Sequence, residues 1–94
     1  MAHKWKEDED VVACYVSRFG YREVASSVEA LANALGIPLG AFHMRVSNFK
    51  ALQGRGRLNH VAGQSQRVYE HHRDATEPDL RSIVLKALGG QPLT

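Results

Sequence analysis

Leu31-Ala32-Asn33-Ala34-Leu35-Gly36-Ile37-Pro38 is the stretch that decides the fold. Val28, Leu31, Ala32 and Leu35 form an apolar stripe at helical spacing that stops at Gly36, a residue suited to the left-handed backbone that closes a helix. Ile37 is apolar, and Pro38 cannot prolong the preceding helix but has a fixed φ suited to beginning another. Two helices therefore meet across a turn of about three residues, and Ala32 lets them approach closely. Upstream, Ser26 followed three residues later by Glu29 has the pattern of a capping box, in which each side chain satisfies a free amide of the first turn.

Downstream, the spacing predicts a helix from about Leu39 to Leu52 with Leu39, Phe42, Val46 and Phe49 facing inward. At about 100° per residue its outward arc then holds Gly40, Ala41, Met44, Ser47 and Asn48, with His43 and Arg45 on the flanks. Small residues on that arc permit close approach of another surface.

The first helix is expected to begin near Glu7, where Glu7, Asp8, Glu9 and Asp10 complement the positive end of the helix dipole, and to stop at Gly20. Val12, Tyr15, Val16 and Phe19 share one face, over which Trp5 is expected to close. After the central helix, Gly54-Arg55-Gly56-Arg57 reads as a basic loop whose far end Leu58 and Val61 pin to the core. A fourth helix is expected from roughly Ser65 to Asp74, with Val68, Tyr69 and His72 inward. Thr76 and Asp79 give a cap pattern for the last helix, Pro78 sits in its first turn, and Leu80, Ile83, Val84, Ala87 and Leu88 make a stripe ending at Gly89-Gly90. No repeat, low-complexity segment or β alternation stands out. The expected fold is all-α, a three-helix helix-turn-helix core with one or two additional C-terminal helices. Residues 1–74 make the domain, and 75–94 a C-terminal helix that either completes the core or pairs with a second copy.

Ninety-four residues enclose one hydrophobic core and leave little room for an elaborate catalytic cleft. A hydrophobic fraction of 44% with 23% charged residues is that of a chain that folds. The single cysteine, Cys14, cannot form an intramolecular disulfide and sits in an apolar run, which fits a reducing cytoplasm. With no run of about 18 apolar residues, neither a signal peptide nor a membrane span is expected.

Charge is distributed unevenly along this nearly neutral chain. From Ala30 to Tyr69 there is no aspartate or glutamate, while Arg45, Lys50, Arg55, Arg57 and Arg67 give that stretch a net +5. Four cations against six acids before it, and three against four after it, bring the whole to +2. Cations gathered in this way neutralise phosphates and release counterions, so a polyanion is the expected partner.

A helix, a Gly-containing turn and a second helix with small and polar residues facing out match the helix-turn-helix, whose second helix enters the DNA major groove. An ordinary helical hairpin in a small bundle would share these signals; the surrounding cations favour DNA. His43, Met44, Ser47 and Asn48 are then candidates for base edges, since Asn pairs bidentately with adenine and Met contacts a thymine methyl. Arg45, Lys50, Arg55, Arg57 and Arg67 are candidates for phosphate, with the Gly-Arg-Gly-Arg loop alternatively entering a narrow minor groove. Each has a plainer competitor: Arg45 pairing with a first-helix acid such as Glu9, Asn48 bracing the following loop, Met44 lying in core or interface.

Trp5 with the acidic run, Leu31-Ala32 to Leu35-Gly36, and a helix bearing Arg45 and Asn48 resemble a Myb-type or homeodomain-like module. That string with Gly40, Arg45-Val46-Ser47-Asn48-Phe49, Ala51-Leu52 and the Gly-Arg-Gly loop is also similar to a helical module preceding the nuclease domain of some bacterial HNH endonucleases. The resemblance spans roughly Trp5 to Arg73 and implies DNA handling, not cleavage, because it contains no ββα-metal segment.

No metal or cofactor is expected. His71 and His72 are adjacent and diverge on a helix by about 100°, and one cysteine without a His-x-x-x-His spacing makes no zinc set. Cys14 lies in an acid-rich half, opposite to the setting that activates a thiol. The expectation is a non-enzymatic, cytoplasmic double-stranded DNA-binding protein of a bacterium or its phage, a small regulator or nucleoid-associated factor. It takes no small-molecule substrate, does not engage a membrane, and can form a homodimer through its C-terminal helix. The alternatives are a protein-interaction adaptor and an accessory DNA-binding module of a nuclease system.

Overall fold

Helix α1, Glu7–Phe19, is the axis around which the rest packs, because almost every direction around it is apolar or internally bonded. Val11, Val12, Ala13, Cys14 and Tyr15 are all buried, and so are Glu9, Asp10 and Ser17. In this computed structural model, which describes residues 3–54 and 62–93, α1 is followed by α2 (Val28–Leu35), α3 (Leu39–Leu52), α4 (Gly63–His72) and α5 (Glu77–Ala87). Among the described residues the structure is all-helical, with no strand and one isolated parallel bridge between Ala25 and Leu93. Helices α3, α4 and α5 lie against α1, and α2 lies against α3.

Local chemistry sets most boundaries. Gly36 closes α2 in the left-handed region at φ 69°, with its N–H on the Asn33 carbonyl at 3.1 Å and the Ile37 N–H on the Ala32 carbonyl at 2.9 Å. That bond pair is a Schellman motif, and the apolar residue it calls for is Ile37, 3% exposed. Pro38 caps α3, which runs over the expected residues. Thr76 accepts from the Asp79 N–H at 3.3 Å to begin α5.

The structure corrects several expectations. The cap of α2 is Ser27, whose Oγ accepts from the Ala30 N–H at 3.0 Å; Ser26 gives its N–H to the Leu93 carbonyl at 3.0 Å, so no box forms with Glu29. Helix α1 carries half a box, in which Glu9 accepts from the Lys6 N–H at 2.9 Å, since a lysine side chain cannot accept in return. Phe19 and Leu39, expected inward, are each 38% exposed. Trp5 closes over α3 rather than the α1 face, with its ring stacked at 6.3 Å on Phe42. Helix α4 begins two residues earlier than expected and ends two earlier. Arg55, Gly56, Arg57, Leu58 and Val61 lie outside the described residues.

Helix α5 buries Leu80 and Val84 completely in the common core, while Ile83 stays 38% exposed. It is tied to α1 by the Tyr15 hydroxyl, which donates to Glu77 at 2.6 Å, and Glu77 in turn holds Arg81 at 3.2 Å. Arg18 stitches the α4 to α5 turn by donating to the carbonyls of His72 and Ala75 at 3.0 and 3.1 Å. Leu93 then closes the C-terminal segment onto the α1 to α2 connection, its N–H on the Val24 carbonyl at 2.8 Å.

Candidate nucleic-acid interface

Burial of Phe42, Val46 and Phe49 fixes how α3 is rotated and therefore what it shows to solvent. His43, Met44 and Ser47 are exposed and Asn48 is half-buried, so the four candidate base contacts occupy the outward arc together with Gly40 and Ala41. Met44 is 67% exposed, which removes it from the core. The Asn48 side chain has no hydrogen-bond partner among the described residues, so it does not brace the following turn there.

Arg45 occupies a different setting from the one expected of a phosphate contact. Its Nε donates to Asp10 Oδ1 at 2.7 Å and its Nη2 to Oδ2 at 2.9 Å, a bidentate pair in which the carboxylate has no exposure and the arginine side chain 13%. Gln64 Nε2 adds a bond to Oδ2 at 2.7 Å, and Ser65 Oγ one to Oδ1 at 3.1 Å. Four donors on one carboxylate satisfy it fully, which is what a buried charge requires. The guanidinium also lies 4.6 Å from the centre of the Trp5 ring. The acid that pairs with Arg45 is thus Asp10; Glu9, the one expected, holds His3 Nε2 at 2.9 Å instead.

This hub joins α1, α3, α4 and the segment before α1, since Gln64 Nε2 also donates to the Trp5 carbonyl at 3.2 Å. A pairing of Arg45 with a first-helix acid is among the sequence expectations, at Glu9; the acid is Asp10, and the convergence of Gln64 and Ser65 on it has no local signal. Four consecutive helical residues span about 300° of arc, so at least one of Glu7 to Asp10 had to face the core.

Lys50, in the last turn of α3, and Arg67, on α4, are exposed and without an ion pair among the described residues. Arg55 and Arg57 lie outside those residues. Beside α3, an open recess of about 300 Å³ is lined by His3, Trp5, Ala41, Met44, Arg45 and Asn48.

Other chemistry-bearing groups are placed as follows. Cys14 is fully buried, and burial, opposed by Arg18 and reinforced by Asp10, pushes its thiol up to about 11. The rings of His71 and His72 meet edge to face at 4.7 Å rather than diverging, and His72 Nδ1 bonds the Val68 carbonyl at 3.0 Å. No group of three or more His, Cys, Asp or Glu is gathered for a metal among the described residues, and no helix there is long and apolar enough to cross a membrane. Comparison with family models, curated proteins and solved structures finds no match.

Proposed function

We propose that the chain binds double-stranded DNA, with α2 and α3 acting as a helix-turn-helix and α3 entering the major groove. The observation that carries this reading is the outward arc of α3, where His43, Met44, Ser47 and Asn48 stand on a stretch of chain without a single carboxylate. A helix about 10–12 Å across fits a major groove about 12 Å wide, and small residues at Gly40 and Ala41 admit close approach. In this reading the four arc residues meet base edges, while Lys50 and Arg67, with Arg55 and Arg57, meet phosphates. Arg45 serves mainly as the brace that sets the rotation of α3 against α1 and α4, because two of its three nitrogens are committed to Asp10.

The biological role that fits is a small regulator or nucleoid-associated factor. Anisotropy titration of labelled duplex at low salt tests binding, and selection from a random duplex pool tests the role. Enrichment of a sequence marks a regulator, and binding without enrichment marks a nucleoid factor. An absence of binding at low salt would remove the reading. Incubation with plasmid and divalent metal, with and without a nuclease partner, tests the accessory-module variant.

A second reading has its own observation in Met44, a large apolar side chain 67% exposed beside Ala41 and the partly exposed Leu39. An adaptor would use that face for a protein, giving a stable complex and no salt-steep affinity for DNA.

A further inference from the structure

We infer that the recess between the N-terminal segment and α3 is a binding site for a nucleobase. The inference deepens the DNA-binding reading and rests on it for one point, that the base arrives on a nucleic-acid strand.

The recess holds about 300 Å³, at the small end of ligand sites, and its walls combine the three features a nucleobase needs. The first is a π surface. Trp5 is held in place by Phe42, by the Arg45 guanidinium and by the edge of His3, whose ring centre lies 5.3 Å away at 89°. With those groups packed against it, the indole is fixed in position, and the part of it that lines the recess offers a base an aromatic contact.

The second feature is unused hydrogen-bonding capacity. Arg45 commits Nε and Nη2 to Asp10, but its Nη1 has no partner among the described residues and is not buried, which leaves two N–H donors beside the recess. Asn48 is also without a partner there and carries both an acceptor and two donors, the complement of a base edge. An aliphatic side chain seated in this recess would cover those donors without satisfying them, whereas the edge of a base pairs with them. The apolar atoms of Ala41 and Met44 complete the lining.

The third feature is charge. The Asp10 charge is balanced by Arg45, and Glu9, held by His3 and by the Lys6 N–H, is 6% exposed. Lys4 and Lys6, on either side of Trp5 in the chain, are exposed and available to a phosphate.

Trp5 is the only tryptophan, so its emission reports on the site directly. The full chain is titrated with each deoxynucleoside monophosphate, with deoxyribose 5-phosphate, with a single-stranded oligonucleotide and with a fully paired duplex. Saturable quenching by the single strand and none by deoxyribose 5-phosphate is expected. Asn48→Ala weakens the response about tenfold, and Ala41→Leu, which fills the recess, abolishes it. Both variants are checked for native circular dichroism and thermal melting, so that a loss of response is read only on folded protein. Saturation by mononucleotides at similar concentration assigns the site to free nucleotides, and saturation by the strand only assigns it to an unstacked base. Quenching that rises linearly without saturating, that deoxyribose phosphate reproduces, or that neither variant alters would overturn the inference. Duplex binding seen by anisotropy with both single strand and mononucleotides silent at Trp5 sinks the recess and leaves the DNA reading standing. Saturable nucleotide quenching without duplex binding does the reverse.

Discussion

Arg45 grips Asp10 with two parallel hydrogen bonds of 2.7 and 2.9 Å, and the carboxylate it holds is wholly out of solvent. The pair fixes α3 against α1, so the face that α3 shows outward depends on a contact made on its inner flank. Removing one partner of a buried pair costs about 3–5 kcal/mol, most of it the penalty on the charge left behind. Arg45→Met should fall near the lower end, about 3 kcal/mol, because Gln64 and Ser65 still donate to Asp10. Asp10→Leu should cost at least as much, since it leaves the buried Ser65 hydroxyl and the Gln64 amide without this acceptor besides freeing the guanidinium. Urea denaturation with an unchanged m value checks both. A loss below about 1 kcal/mol in either variant would contradict the account.

The Cys14 thiol, pushed from 9.0 to about 11 by burial, should not react with a thiol reagent at pH 8 until the protein is unfolded. The sign of the linked stability is set by the neutral form, which the native state favours. Between pH 9 and 11 the unfolded chain gives up this proton first, so stability is full below 9 and falls by about 3 kcal/mol as pH rises to 11. Tyr15, buried and donating to Glu77, is shifted upward too, so it adds a loss of the same sign that begins above its ordinary value of 10.0. Denaturation midpoints across this range should decline; a flat profile would show that Cys14 titrates as an exposed thiol.

Gly36→Ala should destabilise by about 1–2 kcal/mol, the cost of holding an L side chain in the left-handed region. The Cβ itself would meet nothing within 4 Å, so the penalty is conformational and not a clash. Gly36→Asn, which tolerates that region better, should recover part of it. Thermal melts of the three proteins give the order, and an Ala variant equal to the parent would mean that the turn relaxes.

These positions also show how far the sequence could be read. Ends governed by one residue and its neighbours were legible: Gly20, Gly36, Pro38 and Thr76 act through their own backbone or side chain, so α1, α3 and the turn between α2 and α3 stood where expected. The choice between Ser26 and Ser27 as the α2 cap was not, because it depends on Leu93, which takes the Ser26 N–H from 67 residues away in the chain. Asp10 was hidden for a similar reason. Its donors come from α3 and α4, and local spacing does not disclose which of four adjacent acids they converge on. The outward arc of α3 was legible because Phe42, Val46 and Phe49 define its opposite side by period alone. The setting of Arg45, on the flank between the two, was decided by partners distant in sequence.

If phosphate neutralisation drives DNA binding, Lys50→Ala with Arg67→Ala should make the plot of log affinity against log salt shallower by about two units. Arg55→Ala with Arg57→Ala should do the same if the basic loop reaches the backbone. Met44→Ala and Ser47→Ala should instead leave the slope nearly unchanged while altering which duplexes are preferred. Anisotropy titrations at several salt concentrations separate these effects, and a slope unaltered in either double variant would remove that pair of cations from the interface.

The apolar stripe of α5 was open to two uses, the core of one chain or the seam of a dimer. Leu80 and Val84 have no exposure and lie in the core with α1, leaving Ile83 exposed at 38% and Leu85 partly buried. A helix seam needs apolar residues repeated at spacings of three and four, and a single exposed isoleucine does not supply them. Light scattering over a concentration series should therefore hold at the monomer mass of 10.4 kDa. Ile83→Glu should leave the oligomeric state unchanged and the stability within about 0.5 kcal/mol of the parent, as for an ordinary surface exchange. Val84→Glu should unfold the chain, because it buries a carboxylate with no donor beside it. A mass that doubles with concentration and falls back in Ile83→Glu would show that α5 contributes a face to an assembly as well as to the core.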